Sequence, residues 1–182
     1  PAEHFGLCGA DASSSTSNLT VTVLDDTEGP FFNVEVSDLD ANGKVDLLVT
    51  NNKANGSGKV FAFEQTAPLT FTKHVLAGPG YKPHGFGPGL GGPGTATSFF
   101  PTVSDKSKKG VRPSIVVSGD DSGHTDLLTP TGDAFQYEIE TIANGTGTMG
   151  TMAVGDIDGD GVSEIIVPYY KDSKIDVFRC IV

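Results

Sequence analysis

Two stretches of this chain, VEVSDLDANGKVDLLVTNN at 34–52 and MAVGDIDGDGVSEIIVPYY at 152–170, are versions of one another. They align without a gap, setting Asp38 on Asp156, Asp40 on Asp158, Asn42 on Asp160, Gly43 on Gly161 and Asp46 on Glu164. The match extends upstream, where LTVTVLDD from Leu19 falls on YEIETIAN from Tyr137. A third copy, PTVSDKSKKGVRPSIVVSGD, places Asp105 at the Asp38 position and Gly110 at the Gly43 position. There the spacing is kept and the chemistry is lost, because Ser107, Lys109 and Pro113 stand where the other copies carry acidic or amide groups. A chain built of such copies must stack one supersecondary unit on the next to bury a core.

The unit reads as strands. After each loop comes a β-branched or apolar run (45–50, 114–117 and 165–169), then a turn and a further strand (59–63, 125–128 and 174–178). A fourth alternating strand, LTFTKHVL or FQYEIETI, follows in the first two copies. With 24 Gly and 11 Pro the composition also favours short strands joined by turns, and we read the chain as all-β. An EF-hand is excluded, since Glu164 arrives too early for the bidentate acid and Pro168, Tyr169 and Tyr170 follow instead of a helix.

The last copy stops after its third strand, and a matching fourth strand, 19–24, lies at the other end of the chain. Staggered termini of this kind close β-propellers. We therefore expect one unit over 1–182, with blades at about 31–76, 95–142 and 149–182, the last completed by 19–24. Cys8 and Cys180 would pair in an oxidising compartment and lock that closure; two separate thiols are the alternative. Sequons at Asn18, Asn55 and Asn144 point to secretion and glycosylation.

The motif DxDxNGxxDLLV, with its partner DxDGDGxxEIIV, resembles the FG-GAP or VCBS repeats of integrin α-subunit propellers, fungal propeller lectins and the propeller part of aldos-2-ulose dehydratase. The resemblance implies a propeller fold; function lives in sites grafted on such a scaffold.

Acids at alternate loop positions with a Gly at the turn suit a hard cation. We expect two structural calcium ions. One is held by Asp38, Asp40, Asn42, Asp46 and the Lys44 carbonyl, the other by Asp156, Asp158, Asp160, Glu164 and the Val162 carbonyl. In the middle copy Lys109 is expected to supply the positive charge in place of an ion. The insertion GPGYKPHGFGPGLGGPG at 78–94 offers Tyr81, Lys82, His84 and Phe86 as a candidate glycan-binding loop.

The net charge of -11 argues against nucleic acid and anionic membranes, and no apolar run is long enough for a membrane-spanning helix. His4, His74, His84 and His124 follow no zinc spacing, no nucleophile motif is present, and a non-enzymatic role is preferred. Three blades fall short of the four to eight of closed propellers. The chain is therefore a piece of a longer propeller, half of a two-chain ring, or a stacking array, and self-association is expected. The readings are a secreted calcium-stabilised glycan-binding or adhesion module, a self-assembling extracellular structural protein, and a propeller fragment of a carbohydrate-active lyase or dehydratase.

Overall fold

The computed structural model describes residues 21–80 and 91–181. It is all-β, with four antiparallel sheets, none closed into a barrel. The first sheet contains β1 (Phe31–Ser37), β2 (Asp46–Asn51), β4 (Lys59–Ala67) and β5 (Thr70–Ala77) in that order across the sheet. The second is built the same way from β7 (Ala96–Phe99), β8 (Ser114–Ser118), β9 (His124–Pro130) and β10 (Tyr137–Asn144). The third has β11 (Ala153–Gly155), β12 (Glu164–Tyr169) and β13 (Lys174–Arg179). Between β2 and β4, the short β3 (Lys53–Ala54) pairs with β6 (Gly91–Gly92) in a two-stranded ribbon. Gly58 is required there, because a Cβ on it would lie 1.8 Å from the Gly92 carbonyl oxygen.

Each repeat of the sequence is thus one sheet, and apart from 19–24 the expected strands are present. The middle repeat, however, is not in the register expected of it. Ser37 pairs with Asp46, Phe99 with Ser114 and Gly155 with Glu164, so Ser114 and not Pro113 occupies the Asp46 position. One extra residue lies between Gly110 and Ser114. The consequence is large, since a one-residue slip turns every side chain to the other face. Ile115 is equivalent to Leu47 and Ile165, and Val116 to Leu48 and Ile166. Ser118 falls on Thr50, and both hydroxyls donate across to the next segment, Thr50 Oγ1 to Gly94 O at 2.5 Å and Ser118 Oγ to Met149 O at 3.2 Å.

With that register the packing follows one rule. Leu48, Val60 and Ala62 of the first sheet share a buried cluster with Ile115, Val117 and Leu128 of the second. Val116, on the opposite face of β8, shares another with Ile165 and Val167 of the third. The inner strands are also joined by polar contacts: Asn33 Oδ1 accepts from the Ala96 N–H and Glu35 Oε1 from the Ser98 N–H. Apolar burial of these clusters is the main favourable term holding sheet to sheet.

The strand expected at 19–24 is not seen in its described part. Residues 21–25 pair with no sheet, and Asp25 instead forms an ion pair with Lys73 of β5 at 2.5 Å. The third sheet therefore has three strands among the described residues. Cys180 is half-buried, and Cys8, its expected partner, lies outside the described residues.

Candidate metal centres

The loop between β1 and β2 turns on Ala41 and Gly43, both in the left-handed region, at φ 61° and 86°. Asp38 organises that turn. Its Oδ1 accepts from the Asn42 N–H at 3.1 Å and its Oδ2 from the Gly43 N–H at 2.8 Å. Asp40 Oδ1 accepts from the same Asn42 N–H, and Asn42 Oδ1 from the Lys44 N–H. Asp46 is fully buried at the start of β2, where its two oxygens accept from the Leu39 and Gln65 N–H groups at 3.0 and 2.9 Å.

The loop between β11 and β12 repeats this pattern, with Gly159 and Gly161 supplying the positive φ. Asp156 accepts from the Gly159, Asp160 and Gly161 N–H groups, Asp158 from Asp160, and Asp160 from Val162. Glu164 Oε2 accepts from the Ile157 N–H at 2.9 Å, as Asp46 does from Leu39. One group is left over. Glu164 Oε1 is buried and has no hydrogen-bond partner among the described residues, an arrangement that costs free energy unless something positive meets it.

Carboxylate oxygens of Asp38, Asp40 and Asp46 lie within 4.8 Å of one another, and so do those of Asp156, Asp158 and Glu164. The spacing in sequence had indicated both groups. Two of the expected ligands are engaged elsewhere: the Asn42 amide donates to Asp40 Oδ2 at 2.8 Å, and Asp160 pairs with the Arg179 guanidinium, which also approaches Asp158 Oδ2 at 3.6 Å. Lys44 and Val162 lie at the ends of the two turns, with Lys44 Nζ donating to Thr66 O and Val162 bridged to Thr102. Burial pushes the Asp46 carboxyl above its ordinary value against its two backbone donors, and the charges of Asp40 and Asp38 push it further. Three acids so close repel one another, and a cation between them would relieve that repulsion.

In the middle repeat the compensation comes from a residue that the sequence had not singled out. Lys108 Nζ, and not Lys109, sits on Asp105 Oδ1 at 2.5 Å, Lys108 directly following a short 3-10 turn over Val103–Ser107 that contains Asp105. Its signal was the i, i+3 spacing of Asp105 and Lys108. The loops of all three repeats converge on one open hollow of about 810 Å³, lined by Ser37, Asn42, Ser98, Lys106, Lys109 and Asp156 among others. Tyr81, Lys82, His84 and Phe86 lie outside the described residues, as does Asn18. Asn55 and Asn144 are exposed, Asn55 in a tight turn at φ 61°.

A second polar cluster escaped the sequence reading. His124 Nε2 lies 3.1 Å from Asp126 Oδ2, whose other oxygen accepts from Thr141 Oγ1. Burial pulls the His124 imidazole down, but its hydrogen bond to Asp126 and the charge of that carboxylate more than reverse this, leaving it above its ordinary value.

In comparisons with family models, characterised proteins and solved structures, nothing matches this chain. Its role is therefore argued from its own residues.

Proposed function

We propose that this chain is a calcium-stabilised β-propeller unit of FG-GAP type that serves outside the cell as a glycan-binding or adhesion module. The observation that carries the metal reading is the buried, unpartnered Glu164 Oε1 beside Asp156 and Asp158, in a loop whose hydrogen bonds match those of the first repeat. The carboxylates of both groups offer only oxygen ligands, which suits calcium better than zinc. The ion would neutralise each loop and couple metal binding to folding.

The propeller reading is supported by the constant rule of packing, in which the Leu48-type face of one sheet meets the Ile115-type face of the next. It is also supported by the convergence of the three loops on one hollow at the ends of the inner strands. For glycan binding the hollow supplies hydroxyl, amide and ammonium groups over an apolar floor that includes Val36 and Phe99.

Calorimetric titration tests the metal reading: two calcium sites are expected, with Asp38→Ala and Asp156→Ala each removing one. No calcium uptake by the native protein overturns it. A glycan array read with calcium and again with EDTA tests the second part, and the absence of any bound glycan under both conditions removes it.

A further inference from the structure

Equivalent positions in the repeats are buried where two sheets meet and exposed where the sheets run out. Val34, in the first sheet, is 62% exposed; Met152, its counterpart in the third, is 5% exposed because the second sheet covers it. The converse holds at the other end. Leu39 is fully buried between the first and second sheets, whereas its counterpart Ile157 is 63% exposed. Val177, 55% exposed, likewise stands where the first sheet has the buried Ala62. Among the described residues, one end therefore presents an uncovered docking face (Ile157, Ile175, Val177), and the other an uncovered receiving face (Val34, Val36, Phe32). These are the two halves of the joint that the chain already makes twice within itself.

The third sheet lacks the fourth strand that β5 and β10 supply to the first and second, so the outer edge of β13 has no strand beside it among the described residues. Residues 21–24 match β10 in sequence. They also match it in place: the end of β10, at Ile142 and Ala143, packs with Ile165 and Val167 of the following sheet. Val23 and Leu24 similarly line an apolar groove with Phe31, Phe32, Val49 and Phe63 on the receiving face.

We propose that two copies of this chain join head to tail in a ring. The Val177 face of each docks on the Val34 face of the other, and residues 21–24 of the receiving copy run along β13 of the docking copy as its fourth strand. Each joint is head to tail and a two-fold axis relates the two; each copy brings three blade-like sheets among the described residues, so two copies bring six, within the range in which propellers close. This inference rests on the propeller reading above.

Sedimentation velocity of the whole chain in calcium tests it, with a species of about twice 18.9 kDa expected. Val177→Asp damages only the docking face and Val34→Asp only the receiving face, so each variant alone should sediment at half the native mass. Mixed together they should form a one-to-one pair, since each retains the face the other has lost. Ile175→Lys and Val36→Lys, also at exposed positions, replace either variant whose circular dichroism departs from the native spectrum. A native monomer, variants that still pair with themselves, or a mixture that stays monomeric each overturns the proposal. Calcium titration of the same samples separates the two ideas: a monomer that takes up calcium sinks the ring alone, and a ring that takes up none sinks the metal reading alone.

Discussion

Glu164, which is buried, and His124, which is partly so, show how differently two ionisable groups can act. Glu164 Oε1 is buried without a hydrogen-bond partner among the described residues, and the proposed cation would meet it. Glu164→Gln should weaken calcium binding at the second loop roughly tenfold, about 1.4 kcal/mol, as read by calorimetry, while the first loop is unchanged. His124 already has its partner in Asp126. Because its folded pKa is raised, the imidazolium stabilises the fold fully below the ordinary value of about 6.5, and that contribution is lost as pH rises through the folded value. Thermal melts should therefore fall as pH is raised from about 6 to about 8. His124→Gln should flatten that dependence, and Asp126→Asn should cost about 1–2 kcal/mol at the acid end. The acidic loops were legible because their carboxylates are close in sequence. The His124, Asp126 and Thr141 cluster was not, because strand pairing brings it together.

Among elements, β8 decides the architecture. Its two faces serve two different joints, Ile115 and Val117 toward the first sheet and Val116 toward the third. Ile115→Ala, at a fully buried position, should cost about 2–5 kcal/mol in chemical denaturation. Ile175→Ala, chemically the same change, should cost the isolated chain little, because Ile175 is exposed on β13. The extra residue before Ser114 is what turns β8 the right way. It brings Arg112 to the turn after β9, where its guanidinium donates to the carbonyls of Thr131, Gly132 and Asp133. Alternating apolar strands disclosed β8 in the sequence but not its register, since VRPSIVVS is apolar enough to face either way.

For the whole molecule, the proposed calcium ions and the proposed ring would act on the same equilibrium. Free calcium at a hundred times its dissociation constant adds about 2.7 kcal/mol per site, so melting should rise by roughly 5–10 °C for each loop filled and fall back with EDTA. A ring would add a dependence of melting on protein concentration, which the Val177→Asp variant should lack. That the chain is all-β, that it is built of three repeats and where its acidic turns lie were set by local patterns: alternation, Gly at the turns, and Asp or Asn at fixed spacing. Which face of each sheet meets its neighbour, that Lys108 answers Asp105, and where 21–25 lies were decided only in three dimensions. Those outcomes depend on burial and pairing between residues far apart in the chain, and a local pattern carries no record of either.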